Sequence, residues 1–202
     1  MRRFIVVSQT AKTSGNFLLA DIPSTSGRVD VLLRAIRATL LVSHGVRRDT
    51  RLYLVLLGDP TEPRTLRFDG DAARYLRPDE RSLATTLKKA LATPCDSVEF
   101  VTVRPGIAIA RGALETILPD VSAGSLYLLE PNAPDIRSHA LRDPAPVFLL
   151  GDQRGLEPSV RERWLALGAR PVSVGPTALF TEDVIAIVAN ELDRAGDRST
   201  TL

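Results

Sequence analysis

Short apolar runs alternate along the chain with longer stretches in which apolar residues return every three or four positions. The runs "FIVVS" (Phe4–Ser8), "RLYLVLLG" (Arg51–Gly58), "TLRFDG" (Thr65–Gly70), "SLYLLEP" (Ser125–Pro131), "PVFLLGD" (Pro146–Asp152) and "ARPVSVG" (Ala169–Gly175) are rich in Val, Leu and aromatic residues and close on Gly, Pro or Asp. Such runs predict strands. Several are apolar at successive positions, the pattern of parallel strands covered on both faces. Helical spacing predicts helices over Arg28–Ser43, Pro78–Ala92, Ala110–Leu118, Glu157–Leu167 and Leu179–Arg194. In the first, Val29, Leu32, Leu33, Ile36 and Leu40 make the apolar stripe and leave Arg34 and Arg37 near the polar side. Strands and helices in alternation predict an α/β fold with a mostly parallel sheet. The last residues, "AGDRSTTL", read as a disordered tail.

Composition narrows the chemistry. A chain of 202 residues, 44% of them hydrophobic, buries a substantial core in one or two compact domains. No apolar run approaches the roughly 18 to 20 residues that span a bilayer, and Phe4–Val7 is too short for the core of a signal peptide, so the expected location is the cytosol, away from membranes. Cys95 is the sole cysteine, which excludes an internal disulfide; with only His44 and His139 beside it, no metal site is expected. His44, at the predicted end of the first helix, reads as a cap favoured by the helix dipole. The chain carries no three-glycine dinucleotide loop, no phosphate loop ending in Lys-Ser/Thr and no Gly-x-Ser-x-Gly elbow, which turns the reading away from nucleotide triphosphates and from serine hydrolysis.

The net charge of +2 conceals an asymmetry: residues 1 to 60 hold nine Lys/Arg against four Asp, a local +5 that leaves −3 for the rest. The basic end is mostly arginine, which pairs bidentately with phosphate and stacks on bases, so it reads either as a polyanion-binding face or as ordinary solvated helix surface. Three glycine-containing loops follow late strands: "LLEPNAPD", "LLGDQRGLEP" and "VSVGPTALF". In open α/β sheets ligands sit beyond the carboxyl ends of strands, so these loops read either as one shared pocket or as three ordinary turns.

The stretch "DIPSTSGRVDVLLRAIRATLLVSHGVRRD" (Asp21–Asp49), then "YLVLLGDPTEPRTLRFDG", "RPDERSLATTLKKAL", "RPGIAIARG" (Arg104–Gly112), "LYLLEPNAPD" (Leu126–Asp135), "PVFLLGDQRGL" and "PVSVGP" (Pro171–Pro176) resemble, in the same order, the archaeal tRNA pseudouridine N1-methyltransferase (TrmY) family. The likeness runs from Met1 to about Asp193. It implies a SPOUT-type α/β fold: a single domain over residues 1–202, with an RNA-facing basic part at about 1–95 and a knotted cofactor-binding part at about 120–195. It further implies a deep trefoil knot and S-adenosylmethionine held bent among the knot loops, largely by backbone groups. Carried over residue by residue, the cofactor contacts are Leu128, Gly151, Val174, Gly175, Pro176, Thr177 and Leu179, with Gly155 beside them. At Gly151 a side chain would obstruct the ligand. Val184 stands where the family carries a cofactor-contacting cysteine. The implied substrate is pseudouridine at position 54 in the T-loop of tRNA, and the implied assembly is a homodimer packed through the knot region, with the helix from Leu179 to Leu192 as the contact.

Methyl transfer from a sulfonium needs the nucleophilic nitrogen held in line with the methyl carbon, a group to accept the N1 proton, and cations to place the RNA. Asp30 is the carboxylate read for the proton; the competing reading is a first-turn helix residue paired with Arg34 four positions on. Arg28, Arg34, Arg47 and Arg48 are read as RNA contacts, with intramolecular pairs to Asp30 or Asp49 as the alternative. Two other functions fit the same features: a related SPOUT methyltransferase acting on another RNA site, and a non-catalytic RNA-binding protein of the same fold.

Overall fold

The computed structural model describes residues 1–60, 62–138 and 143–197; His139 and the last five residues of the expected tail lie outside them. In chain order the elements are β1 (Arg2–Lys12), α1 (Ile22–Thr25), α2 (Val29–Leu40), β2 (Leu41–Val42), β3 (Gly45–Val46), β4 (Thr50–Gly58), β5 (Arg64–Asp69), α3 (Glu80–Ala92), β6 (Val101–Arg104), β7 (Ile107–Arg111), α4 (Leu118–Val121), β8 (Leu126–Leu129), β9 (Val147–Gly151), α5 (Pro158–Ala166), β10 (Arg170–Val172) and α6 (Thr181–Asp197). Eight strands form one sheet in the order β10-β8-β9-β1-β4-β5-β7-β6. The pairings from β10 through β4 are all parallel, and those from β4 to β6 are antiparallel.

The apolar run in β1 shows why the sheet is covered twice. Phe4 and Val6 enter a core shared with α2, α3 and α6, whereas Ile5 and Val7 enter a second core closed by Trp164 of α5 and Ile117. All four are 0 to 1% exposed. A strand in the middle of a sheet with helices on both faces has no polar side to show, and "FIVV" is apolar at every position for that reason. Because β1, from the start of the chain, lies between β4 and β9, both halves of the chain contribute to this one sheet.

Two predicted elements come out differently. Ala110 and Arg111 end a strand, and only a 3-10 turn, Leu114–Thr116, and the four-residue α4 follow where a helix over Ala110–Leu118 is expected. The alternating "IAIAR" of β7 finds partners on both sides, β5 and β6, and Pro105-Gly106 turns the β6–β7 hairpin with Gly106 at φ +75. A Cβ on Gly106 would lie 2.3 Å from the Ala73 nitrogen, so the close approach also demands glycine there. The first helix stops at Leu40, and His44 stands at the tip of the β2–β3 hairpin, where Val42 pairs with Gly45, not in a helical last turn. At the other end, residues 195–197 of the expected tail continue α6.

The sheet is polar in its sequence direction, and this places the site. The start of α2 and the start of α6 both sit at the carboxyl ends of the parallel strands: Lys12 N donates to the Ser26 carbonyl at 2.9 Å, and Thr181 Oγ1 to the Gly151 carbonyl at 2.9 Å. The two helices pack side by side and run back toward the strand starts, where Arg2 and Arg47 both pair with Asp193 of α6.

Candidate active site

Beyond the ends of β8, β9 and β10, on the side covered by α2 and α6, lies a cavity of about 500 Å³. Its floor is apolar, formed by Leu129, Leu150 and Val172 at the last turns of the three strands, with Val31 and Val184 from the two helices. The loops that follow the strands complete the wall, through Glu130, Gly151 to Gln153, Gly155, Ser173 to Gly175 and Thr177 to Phe180. The volume lies within the ~300–1,000 Å³ of sites that enclose a small molecule.

Two glycines leave this space open. A Cβ added to Gly155 (φ +76) or to Gly175 (φ +153) meets nothing within 4 Å, although both residues line the cavity. Each adopts a backbone that side chains rarely take, so the loops expose peptide groups where another residue would put bulk. Gly151 differs. Its Cβ would lie 2.3 Å from the Gly155 carbonyl carbon and oxygen, so that glycine is required first by the turn itself. The turn is pinned by Asp152, whose Oδ2 accepts from Ser8 Oγ at 2.7 Å and from Gln9 N at 3.0 Å while Oδ1 accepts from Arg154 N at 2.9 Å. Ser173 Oγ donates to the Gly175 carbonyl at 2.7 Å and shapes the neighbouring loop in the same way.

The cations come from α2 and the residue that caps its start. Gly27 and Arg28 are both left-handed, at φ +69 and +70, and a Cβ on Gly27 would stand 1.8 Å from the Thr10 carbonyl oxygen. This two-residue turn swings Arg28 onto the cavity rim. There its Nε and Nη2 donate to Asp30 Oδ1 and Oδ2 at 2.9 and 3.0 Å, and Arg34 Nη1 donates to the same Oδ2 at 3.1 Å. Arg34 Nε then donates to Glu182 Oε1 at 2.6 Å, which ties α2 to the first turn of α6. Asp30 is 4% exposed and does not line the cavity. Burial pushes its carboxyl up, but the Arg28 and Arg34 guanidiniums outweigh that and hold it below an aspartate's ordinary value. Since the folded carboxyl titrates lower than the unfolded one, its contribution to stability is complete above the unfolded value and is lost as pH falls through the folded one. The stability gap between the wild type and Asp30→Asn is expected to be full at pH 7 and to close below about pH 4. Urea unfolding of both proteins from pH 7 to 3 measures it, and a gap of constant size would exclude the paired geometry.

Of the residues read from the sequence as cofactor contacts, Gly151, Gly155, Val174, Gly175, Thr177, Leu179 and Val184 line the cavity. Leu128 and Pro176 do not. Leu128 is fully buried in the second core, on the far face of the sheet, and its neighbour Leu129 takes the cavity side. The two-residue period of a strand makes that a one-position difference. Arg28 and Arg34 meet at the rim, but Arg47 and Arg48 lie at the opposite end of the sheet. Arg47 is held by Asp193, and Arg48 Nη1 donates to the Asp71 carbonyl at 2.9 Å. Among the residues that the sequence reading passed over, Glu182, Phe180 and Ser173 have the clearest place in the wall. The alternation within "LYLLE" was the available signal for Leu129; nothing in the local pattern singled out Glu182.

Comparison with known proteins bears on what this cavity holds. The chain is 39% identical over 197 residues to the tRNA (pseudouridine(54)-N(1))-methyltransferase of Methanosarcina acetivorans, a match covering 96% of this chain and 92% of the relative. It is 37% identical over 203 residues to the protein of the same name from Pyrococcus abyssi, covering 97% and 99%. Among solved structures, Archaeoglobus fulgidus Nep1 bound to S-adenosylhomocysteine superposes with a TM-score of 0.63 at 14% identity, over 96% of this chain and 98% of that one, a likeness of fold. The sequence match spanning residues 1–196 shows that this chain, with its cavity at the carboxyl ends of three parallel strands, belongs to the family described as "Putative SAM-dependent RNA methyltransferase".

Proposed function

We propose that this chain transfers a methyl group from S-adenosylmethionine to N1 of pseudouridine at position 54, in the T-loop of tRNA. The full-length likeness to enzymes of that name supports the substrate. The observation that carries the reading is the conjunction, at one cavity, of open glycine backbone for a cofactor and two arginines for RNA. The residues present fit S-adenosylmethionine: an apolar floor for a ring system, exposed peptide groups at Gly155 and Gly175, and a volume suited to a molecule of that size. Val184 keeps the floor apolar.

When bound, the cofactor supplies an electrophilic methyl group. The protein's own residues then bind, orient and exclude water. Leu129, Leu150, Val172 and Val184 would pack against the ligand, with Ser173–Gly175 and Thr177–Phe180 of the following loop at its wall. Arg28 and Arg34, held in place by Asp30, present cations at the rim that fix the RNA backbone so that an extruded base meets the cavity. Asp30 is a positioning residue in this scheme, since its oxygens are already occupied by guanidinium donors.

The finer architecture follows the same reading. The C-terminal part forms a deep trefoil knot, with the chain after β10 threaded past the loop that follows β8. Supporting this, that loop bonds to Ser173 through Pro134 and Ile136, whereas Thr181, eight residues further on, bonds to the end of β9. Two copies pair through the knot region. Ile185, Val188 and Leu192 of α6 are spent on the chain's own core, which leaves Leu179 and Phe180, 44% and 71% exposed, as the apolar contact. A tRNA substrate supports a cytoplasmic location, and among the described residues no helix is long and apolar enough to cross a membrane.

Labelled cofactor offered with two T-loop transcripts, one bearing pseudouridine and one uridine at the target, tests the reading. Transfer to the pseudouridine transcript alone is the expected result. Equal transfer to both, or methylation only at another RNA site, would replace it with a related methyltransferase of different specificity; cofactor binding without transfer to any RNA would favour a non-catalytic protein.

A further inference from the structure

Among the described residues, three that are not glycine take the left-handed backbone: Arg28, Asn132 and Tyr75. Arg28 makes the turn at the cavity rim, and an asparagine tolerates this conformation. Tyr75, at φ +59, has neither reason, and a bulky side chain is strained there. Nor is the strain offset by burial, because the ring is 88% exposed. The backbone on either side is fixed: Ala73 is buried and donates its N–H to the Asp69 carbonyl at 2.8 Å, and Leu76 packs against the first core. A pinned loop thus holds an aromatic ring out in solvent, after β5, at the end of the sheet opposite the cavity. Two arginines converge on the same loop. Arg48 Nη1 and Arg74 Nη1 both donate to one oxygen, the Asp71 carbonyl, at 2.9 and 2.8 Å, and Arg74 also donates to the Ala73 carbonyl at 2.9 Å. The two guanidiniums therefore stand within two hydrogen-bond lengths of each other. Neutral carbonyls hold them, and among the described residues neither has an ion pair. The carboxylates of Asp49 and Asp69 are taken by Arg2 and Arg51, and Arg77, the next cation in chain, has Asp79 beside it. Like charges fixed this close repel, and an anion set against both relieves the repulsion.

From this we infer that Arg48, Arg74 and Tyr75 form a second contact for the tRNA, remote from the cavity: the two guanidiniums take a backbone phosphate, and the Tyr75 ring stacks on an unpaired base beside it. The inference rests on the function proposed above, which supplies the RNA. A guanidinium matches phosphate geometry, and every base has a face to stack, so such a contact fixes the position of the RNA without reading its sequence. Thr50 lies level with this loop, and Val55 is in register, through Val7, with Gly151 at the cavity. That separation is a rise of about 15 to 20 Å along β4. A tRNA with its target base in the cavity therefore meets the second contact with a part well away from that base. Arg48, which the fold removes from the active site, keeps in this way the part in RNA binding expected of it from sequence.

The test compares wild type, Tyr75→Ala, Tyr75→Gly and a double variant, Arg48→Gln with Arg74→Gln, for binding of full-length tRNA, for kcat and KM in methyl transfer, and for S-adenosylhomocysteine binding. Tyr75→Ala is expected to raise the Kd and KM for tRNA about tenfold, the scale of one lost base stack, with kcat and S-adenosylhomocysteine affinity within about twofold of wild type. Tyr75→Gly relieves the left-handed backbone, so it should melt no lower than wild type and still bind tRNA as weakly as Tyr75→Ala, which separates a role in binding from one in folding. The double variant should make the dependence of log Kd on log salt shallower by roughly 1, for the phosphate contact removed. Wild-type tRNA affinity in either Tyr75 variant, or an unchanged salt slope in the double variant, would overturn the inference and leave this face to something other than RNA. An equal fall in S-adenosylhomocysteine affinity would overturn it too, since Tyr75 would then be a structural residue. Wild type that binds no tRNA would instead sink the functional reading on which the inference rests.

Discussion

Gly175→Leu is expected to reduce S-adenosylhomocysteine affinity by at least about 100-fold, or about 2.7 kcal/mol. The position lines the cavity and has no neighbour within 4 Å of where a Cβ would stand, so a leucine adds bulk at the cavity wall without meeting the protein interior. The volume it takes is volume the ligand needs, and the loop's exposed peptide groups are covered at the same time. The backbone, at φ +153, is one that leucine adopts only under strain, and such strain costs about 1 to 3 kcal/mol, so the variant should melt a few degrees lower yet remain folded. Calorimetry gives the affinity and thermal unfolding gives the stability. Full affinity in a folded Gly175→Leu protein would mean that the cofactor lies elsewhere. Gly151→Val makes the informative contrast. Its first effect is on the Gly151–Gly155 turn, whose backbone stands 2.3 Å from the new Cβ, so affinity and stability should fall together.

Gly27→Ala is expected to produce the largest loss of stability among single substitutions near the site, at least about 3 kcal/mol. A methyl group there stands 1.8 Å from the Thr10 carbonyl oxygen, far inside any contact distance, and the residue is also left-handed at φ +69. The oxygen belongs to β1 and the glycine to the entry of α2, and the gap cannot open without pulling apart two central elements. Thr10 Oγ1 donates to the Gly27 carbonyl at 2.9 Å, so that bond goes too. The consequence for function follows from the neighbour. Arg28 depends on the same turn to reach the rim, and whatever protein still folds should bind T-loop RNA less tightly than cofactor analogue. Denaturant unfolding checks the first part: a loss under about 1 kcal/mol would show that β1 and α2 separate easily, contrary to the packing.

The sequence was most legible where burial alone sets the pattern of an element. The parallel strands β1, β4 and β9 stand in the apolar runs, because burial on both faces leaves no polar alternation. The helices α2, α3, α5 and α6 fall within a few residues of their expected bounds. The hairpin of β6 and β7 was not legible, since "IAIARGALETIL" carries enough apolar residues at helical spacing to imitate a helix. What made Ile107–Arg111 a strand was an open edge on β5, a partner forty residues away.

The site divides along the same line. Local sequence determined the loops: glycines and an aspartate that close a strand announce a turn wherever they occur, and Gly151, Gly155 and Gly175 were identifiable from that and from resemblance to a family. It also determined that Asp30 and Arg34, four apart on a helix, would pair. Tertiary structure alone decided which loops share a cavity, that Arg47 is consumed by Asp193 of α6, and that Glu182 arrives opposite Arg34 across 148 residues of chain. Periodicity records which side of an element is buried, but a hydrogen-bond acceptor is left empty or filled by whatever the rest of the fold brings within about 3 Å. Glu182 is ordinary in sequence and exceptional in place, because the fold brings a donor to one of its oxygens and withholds one from the other.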